Sequence, residues 1–234
     1  MKHIGVAGLG NMGRGMALSL QRGGFTVSGY DPASAAVESI AREGVNTFAS
    51  VAALAAEVDV LILSLPTSDV VEAVVFGADG VLASAKAGLL VVDTTTADPN
   101  STRKVAAALA EKGVRFIDAP VSGGPKGAIT GTMTMVLGGA AEDVAAVTPV
   151  LEAMSAKRVH VGPVGAGHVT KLLNNLMCGA HLIAAAKRRA SLPQPASTRN
   201  KSLKESTRAR AAAASRKSTI PPGFSTTPST PDSR

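Results

Sequence analysis

The sequence predicts an α/β protein built on a doubly wound, mostly parallel sheet. The first reason is a glycine-rich segment, Gly8-Leu9-Gly10-Asn11-Met12-Gly13, which follows the apolar run Ile4–Ala7 and opens a helical pattern over Met12–Gln21. The second is a strand pattern over Phe25–Tyr30 that ends in Asp31, 23 residues after Gly8. The third is the alternation of strand and helix patterns along the rest of the chain. This order of strand, turn, helix, strand and acid is typical of a Rossmann-type βαβ unit.

The glycine-rich segment is predicted to bind a dinucleotide. Glycine at its first position allows a tight turn, glycine at its second lets backbone N–H groups approach a pyrophosphate, and glycine at its third lets the helix pack close to the strand. The phosphates then lie at the positive end of the helix dipole. A purely structural glycine turn is the alternative, which the register of strand, helix and acid disfavours. The predicted cofactor-binding residues here are Gly8, Leu9, Gly10, Asn11, Met12 and Gly13.

Asp31 bears on which dinucleotide binds. A carboxylate at the end of the second strand accepts hydrogen bonds from both ribose hydroxyls and repels a 2′-phosphate. The next residues, Pro32, Ala33 and Ser34, include no cation to hold that phosphate. The sequence therefore favours NAD, with NADP as the open alternative. Asp31 is also suited to open an Asp-Pro turn, a role compatible with the first.

The later elements follow in order from their local patterns. Apolar runs that end at turn residues predict buried strands, and Pro99 stands at the favoured first position of a helix. Strands are predicted over Val58–Ser64, Leu89–Asp93, Val114–Asp118, Thr132–Leu137 and Arg158–Val161. Helices are predicted over Ala33–Arg42, Val51–Ala56, Val70–Val75, Pro99–Glu111, Ala141–Met154 and, starting near Val164–Gly167, Lys171–Ala186. We assign residues 1–162 to a dinucleotide-binding domain and 163–186 to the start of a long helix.

The character of the chain changes at Lys187. Residues 1–186 hold 13 Lys+Arg and 15 Asp+Glu, a net charge of −2, whereas residues 187–234 hold 11 and 2, a net charge of +9. The second segment is rich in Ser, Thr, Pro and Ala, without sustained apolar periodicity, so a disordered tail is predicted over 187–234. Nucleic-acid binding by this tail is disfavoured, because aromatic residues are not interleaved with its charges.

Composition favours a cytoplasmic protein without a metal site. The one cysteine, Cys178, excludes an internal disulfide and fits a reducing compartment. No apolar stretch approaches the ~20 residues that span a bilayer, and no secretory signal is recognised. The histidines are scattered, and His168 is expected to be an ordinary packing residue.

Two further segments offer groups for chemistry. Ser122, Gly123 and Gly124 follow a predicted strand and offer a hydroxyl and freely oriented backbone N–H groups, an arrangement suited to a carboxylate. A glycine-rich turn without a ligand is the equal alternative. Lys171 and Asn175 lie four residues apart on a predicted helix and so share a face. A lone helical lysine is usually only solvated, but beside an amide and flanked by leucines it is a candidate proton donor.

With these motifs in this order, residues 1 to about 186 resemble the β-hydroxyacid dehydrogenase family, which includes 3-hydroxyisobutyrate dehydrogenase and tartronate semialdehyde reductase. The resemblance implies an NAD(P)-dependent oxidoreductase that interconverts a small β-hydroxy acid and its semialdehyde. It implies that Lys171 is the general acid or base, that Asn175 orients the substrate and that Ser122, Gly123 and Gly124 bind its carboxylate. It adds Leu65, Pro66 and Thr96 to the residues that line the cofactor.

The sequence departs from the family after Ala186, where the resemblance implies an all-helical second domain. The basic tail stands there instead, and it resembles another reading frame of GC-rich DNA. We therefore expect a truncated or frameshifted member, in which the family's homo-oligomer interface is lost. The alternative function is then dinucleotide binding with little or no turnover. A helix without its second domain is also expected to expose an apolar face.

Overall fold

The computed structural model describes residues 3–191, which fold into alternating strands and helices. The strands are β1 (His3–Ala7), β2 (Thr26–Tyr30), β3 (Asn46–Thr47), β4 (Val60–Leu63), β5 (Leu90–Asp93), β6 (Arg115–Asp118), β7 (Val121–Ser122), β8 (Met133–Gly138) and β9 (Ser155–Gly162). The helices are α1 (Asn11–Arg22), α2 (Ser34–Ala41), α3 (Val51–Glu57), α4 (Ser68–Phe76), α5 (Val81–Ser84), α6 (Pro99–Ala110), α7 (Gly124–Thr130), α8 (Ala141–Met154) and α9 (Ala166–Ser191).

The described strands form one sheet whose first six members run parallel in the order β3-β2-β1-β4-β5-β6. This is the strand order of a Rossmann fold, with the order reversing between β1 and β4. The predicted doubly wound, mostly parallel sheet is confirmed. In such a sheet, ligands bind beyond the carboxyl ends of the strands at the point of reversal.

Antiparallel pairing extends the sheet past β6. The last residue of β6, Asp118, pairs with the last residue of β8, Gly138, so that most of β8 runs beyond the carboxyl end of β6. There β8 pairs with the short strand β7, and β9 lies parallel to β8 on its other side. The β7–β8 pair therefore forms a wall at the carboxyl edge of the parallel strands.

Helices cover both faces of the sheet, and alternating strand residues feed two separate cores. In β4, Val60 and Ile62 face one core while Leu61 and Leu63 face the other, and all four are fully buried. Residues of α1, α2, α7 and α8 complete the first core, and residues of α3, α4, α5 and α6 complete the second. Burial of each large aliphatic side chain contributes about 1.5–3 kcal/mol, so continuous apolar strands of this kind require helices on both faces.

The starts of three helices show why they begin where they do. Ser50 Oγ accepts a hydrogen bond from Ala53 N at 3.1 Å at the start of α3, and Thr67 Oγ1 accepts one from Val70 N at 3.4 Å at the start of α4. At α6, Asp98 Oδ1 accepts from Asn100 N at 2.9 Å and is followed by Pro99. Each cap satisfies a backbone donor that lacks a partner within the helix.

The chain divides into two units, residues 1–181 and 182–234. The first contains the sheet and the start of α9. Of the second, the structure describes residues 182–191, which belong to the end of α9. Helix α9 continues to Ser191, so its last five residues, 187–191, lie in the segment for which a disordered tail is predicted. The rest of that prediction, residues 192–234, lies outside the described residues.

Candidate cofactor and substrate sites

A mainly apolar cavity of about 520 Å³ lies at the carboxyl ends of β1 and β4, where the strand order reverses. Eight of the predicted cofactor residues line it: Gly8, Gly10, Asn11, Met12, Gly13, Asp31, Leu65 and Pro66. Sequence reasoning missed the rest of its lining, which is formed by Ala7, Tyr30, Pro32, Ser64, Val70 and Val74. Tyr30 and Ser64 each end a predicted strand, and this position could have identified them.

The glycines of the segment at residues 8–13 are required for different reasons. Gly8 has φ +92°, and a Cβ there would lie 2.3 Å from Ser64 O. A Cβ on Gly13 would lie 1.8 Å from Gly8 O, so glycine is what lets α1 pack against the turn. Gly10 differs, because a Cβ there would meet nothing within 4 Å. The fold therefore leaves the space at Gly10, directly before α1, open to a ligand.

Gly10 is the residue that precedes α1, and no side chain caps this helix. The first backbone N–H groups of α1 therefore face the cavity without a side-chain acceptor, and the helix dipole makes this end positive. An anionic pyrophosphate fits such a cradle. The residues present thus fit a dinucleotide.

Asp31 is fixed at the edge of the same cavity by two backbone donors. Its Oδ2 accepts a hydrogen bond from Leu9 N at 2.7 Å, and its Oδ1 accepts one from Ala33 N at 2.8 Å. The carboxylate therefore ties the glycine-rich turn to the end of β2, and it forms the predicted Asp-Pro turn. No lysine or arginine is among the described residues that line the cavity.

Two predicted cofactor residues do not line this cavity. Leu9 is 2% exposed, and its side chain packs against Gly29 of β2. Its contact with the site is through its backbone N–H and Asp31. Thr96 is exposed in the loop after β5, on the same edge of the sheet.

A second, smaller cavity of about 250 Å³ lies against the wall formed by β7 and β8. Its lining brings together Ser122 and Lys171, two residues predicted to handle substrate. The other lining residues are Pro120, Val121, Thr134, Val136, Thr170 and Asn174. Asn174 was missed by sequence reasoning, which chose Asn175 for its four-residue spacing from Lys171. Asn175 is exposed and is not among the lining residues.

Gly123 and Gly124 follow Ser122 at the start of α7. Their φ angles are +129° and +62°, values that favour glycine. Both residues are exposed, as is Ser122. The segment predicted as a glycine-rich turn thus combines a short strand, a turn with two positive φ angles and a helix.

A buried carboxylate anchors the helix that carries Lys171. Asp118 is 0% exposed, its Oδ1 accepts a hydrogen bond from Gly165 N at 2.7 Å, and its Oδ2 accepts one from His168 N at 2.8 Å. Because a Cβ at Gly167 would lie 2.8 Å from Asp118 Oδ2, glycine at this position allows the approach. The carboxylate also lies at the positive end of the helix dipole of α9, where a negative charge stabilises the helix. Lys171, half-buried one turn later, is thereby held at the carboxyl edge of the sheet.

Within residues 3–191, no group of three or more His, Cys, Asp or Glu side chains is placed to hold a metal ion. The same part of the chain contains no helix of the length and apolar character needed to cross a membrane.

The fold and the first cavity define a dinucleotide-binding domain of the Rossmann class. The model of the NAD binding domain of 6-phosphogluconate dehydrogenase matches residues 3–162, and the chain belongs to this family. Its cofactor is accordingly a nicotinamide dinucleotide, as predicted. The matched range ends with β9 and contains every described strand.

The chain is similar to named dehydrogenases. It is 40% identical over 184 residues to 2-(hydroxymethyl)glutarate dehydrogenase of Eubacterium barkeri, covering 79% of this chain and 61% of that protein. It superposes on 3-hydroxyisobutyrate dehydrogenase of Mycobacterium tuberculosis, solved with L-serine, with a TM-score of 0.76 and 39% identity over 80% of this chain and 64% of that one. For 3-hydroxyisobutyrate dehydrogenase of Salmonella typhimurium the TM-score is 0.74 and the identity 33%, over 82% and 70%. The resemblance to the β-hydroxyacid dehydrogenases is confirmed.

The chain spans about three fifths of the length of the curated relatives it matches.

Proposed function

We propose that this chain belongs to an NAD-dependent oxidoreductase that interconverts a small β-hydroxy acid and its semialdehyde. The observation that carries this proposal is the meeting of Lys171 and Ser122 in one cavity, at the edge of the sheet where the dinucleotide cradle also lies. The names of the relatives support the same substrate class, since they are dehydrogenases of hydroxy acids.

The proposal gives the residues of this chain separate tasks. The hydroxyl of Ser122 and the backbone N–H groups of Gly123 and Gly124 bind the substrate carboxylate. In oxidation, the Lys171 amine takes the hydroxyl proton from the substrate, and in reduction its ammonium returns a proton to the carbonyl oxygen. The family resemblance gives Asn175 the task of orienting the substrate beside Lys171, whereas the lining of the cavity favours Asn174 for this task. The bound nicotinamide supplies the acceptor or donor of the hydride.

The environment of Asp31 supports NAD rather than NADP as the working cofactor. Its carboxylate stands at the cavity edge, and the lining offers no cation to balance a 2′-phosphate. Each carboxylate oxygen accepts one backbone hydrogen bond and retains a further lone pair for a ribose hydroxyl.

The test is NADH oxidation by the purified chain with glyoxylate and semialdehydes of two to four carbons, repeated with NADPH. We expect turnover with NADH to exceed turnover with NADPH, and Lys171→Ala to lower it by about 10²–10⁴-fold, the usual contribution of general acid–base catalysis. Lys187→Ala is the matched control, because Lys187 is an exposed lysine of the same helix. It should leave turnover unchanged.

The outcomes separate the proposal from its alternative. Turnover that survives Lys171→Ala would contradict the role given to this lysine. NADH binding without turnover would show a protein that keeps the cofactor site and performs no reaction alone, which is the alternative function.

A further inference from the structure

A polar network lies beneath the first turn of α9. His168 is 0% exposed, and its Nδ1 lies 2.7 Å from Thr102 Oγ1 of α6. The Thr102 hydroxyl itself donates to Asp98 O at 3.0 Å. Because a hydroxyl has only one proton to donate, Thr102 accepts from His168, whose Nδ1 therefore carries a proton. The other ring nitrogen of His168, Nε2, takes no part in this contact.

That nitrogen and one carboxylate oxygen are unusual in the part of the chain that the structure describes. His168 Nε2 and Asp93 Oδ2 are both buried and have no hydrogen-bond partner, a state shared there only by Arg14 Nε. Asp93 lies at the end of β5 with 1% exposure, and its other oxygen, Oδ1, accepts from Thr95 N at 2.9 Å. Buried polar atoms are nearly always paired with protein or with an ordered water.

The two atoms are chemically complementary. Burial raises the pKa of Asp93, the Asp118 carboxylate adds to that rise, and the nearby His168 and the hydrogen bonds from Thr95 oppose it. When Asp93 holds its proton, its Oδ2 is a donor. Nε2 of an uncharged imidazole protonated at Nδ1 is an acceptor. No direct hydrogen bond joins them, and a molecule that links such a donor to such an acceptor accepts from the first and donates to the second, as water can.

We propose that one buried water accepts from Asp93 Oδ2 and donates to His168 Nε2, and that His168 is thereby a positioning residue for Lys171. The role of Lys171 itself rests on the proposed function. The hydrogen bonds then run in one direction, from Asp93 through the water and the imidazole to Thr102 and Asp98 O. These hydrogen bonds connect β5 and α6 to His168, which lies three residues before Lys171 in α9.

The network also reaches the cofactor cavity. Thr95 Oγ1 accepts a hydrogen bond from Leu65 N at 3.3 Å, and Leu65 lines that cavity. Asp93, through Thr95, is therefore connected to the cofactor side, and through His168 it is connected to the helix that carries Lys171. Asp118 holds the backbone of the same turn, so the side chain of His168 adds a second, independent attachment.

The first test needs only the unmodified chain. Two-bond ¹⁵N–¹H spectra of its histidine rings at pH 7.5 should show His168 as the uncharged tautomer with its proton on Nδ1, with assignment by loss of the signal in a His168 variant. A proton on Nε2 would overturn the proposal, because the direction of the hydrogen bonds would then be reversed. This reading requires neither turnover nor cofactor.

The second test compares two amide substitutions that keep different halves of the imidazole. His168→Gln places an amide oxygen near the Nε2 position, where the water can donate to it, and His168→Asn keeps only the contact with Thr102. We expect His168→Gln to retain kcat within about threefold and His168→Asn to lose about 10- to 100-fold, the scale on which misplacing a catalytic group acts. The Kd of NADH should stay within about twofold in both, because neither substitution touches the cofactor cavity.

Amide hydrogen exchange gives a reading that does not depend on turnover. The first turns of α9 should exchange about tenfold faster in His168→Asn than in His168→Gln, while β1 should be unchanged in both. Equal exchange and equal kcat in the two variants would overturn the proposal. If the unmodified chain binds NADH without turnover, the proposed function fails, and the NMR and exchange results alone decide this inference.

Discussion

Two buried aspartates at the carboxyl edge of the sheet show how position decides what a carboxylate does. Asp118 at the end of β6 has a backbone donor on each oxygen, and both donors belong to the start of α9. Asp93 at the end of the neighbouring strand β5 has a donor on one oxygen only. Asp118 therefore anchors helix α9, whereas burial raises the pKa of Asp93.

The raised pKa of Asp93 makes a testable contribution to stability. The folded protein holds this proton above the pH at which the unfolded chain releases it, so the contribution is complete below the unfolded pKa and is lost as pH rises through the folded pKa. Asparagine does not titrate, so the Asp93→Asn variant does not lose this contribution as the pH rises. From pH 4 to pH 8 we expect the free energy of unfolding of the variant to rise relative to that of the unmodified chain, by up to ~1.4 kcal/mol per pH unit.

Urea unfolding of both proteins across this pH range measures the difference. Because the other titrating groups are shared, their contributions cancel. A difference that stays constant with pH would show that Asp93 titrates alike in the folded and unfolded states.

At the residue scale, the sequence predicted local roles and missed distant contacts. The glycines at 8, 10 and 13, Asp31 and Lys171 could be predicted as site residues because each belongs to a short motif with fixed spacing. The bond from His168 N to Asp118 joins residues 50 positions apart, and no local pattern predicts it. His168 was expected to be an ordinary packing residue. Its place in a buried polar network also depends on contacts between distant residues, so no local pattern predicts it.

Among the elements, α9 stands out for its exposed apolar side chains. Leu172, Leu173, Leu176 and Met177 lie on neighbouring turns, and Leu176 and Met177 are 69% and 60% exposed. The expected exposed apolar face is therefore confirmed. A contiguous surface of this kind promotes association between copies of a chain in water.

This face predicts how the chain behaves when concentrated. Leu176→Glu should lower the tendency of the 234-residue chain to self-associate by about tenfold or more, since burying a leucine contributes about 1.5–3 kcal/mol. Light scattering over a concentration series measures the effect. His181→Glu is the control, because it adds a negative charge at an exposed polar position of the same helix. Equal association of the two variants would show that the leucine face does not drive it.

Long elements were predicted well and short ones were missed. Helices α6 and α8 follow periodic patterns and strand β4 is a continuous apolar run, whereas β3 and β7 have two residues each, too few to show a pattern. Helix α7 begins with Gly-Pro after Gly123, a sequence typical of turns, and its Ala128 packs in the core. Strand β9 was predicted too short, because most of its residues are exposed and its apolar pattern is weak.

At the scale of the whole molecule, the topology explains why two cavities share one edge of the sheet. The reversal between β1 and β4 opens the dinucleotide cradle, and the continuation of β8 beyond β6 builds the wall beside Lys171. Sequence patterns predicted the parallel sheet, but the antiparallel pairing that creates this wall depends on contacts between strands and was not predicted.

Gly10 allows the central claim, that the cradle binds NAD, to be tested without disturbing the fold. Its φ of −61° and ψ of −172° suit any residue, and a side chain there meets no protein atom within 4 Å. Aspartate is also a favoured residue at this position before a helix, so Gly10→Asp should keep or raise the stability of the protein. The same carboxylate would stand where the pyrophosphate binds.

The measurement is the Kd of NADH by fluorescence titration for the unmodified chain, Gly10→Asp and Ala140→Asp, which adds the same charge before α8. We predict that Gly10→Asp weakens binding by about 100-fold or more through repulsion between like charges, with an undiminished melting temperature, while Ala140→Asp binds as the unmodified chain does. NADH binding by a folded Gly10→Asp variant with unchanged affinity would contradict the account, because the dinucleotide would then bind elsewhere.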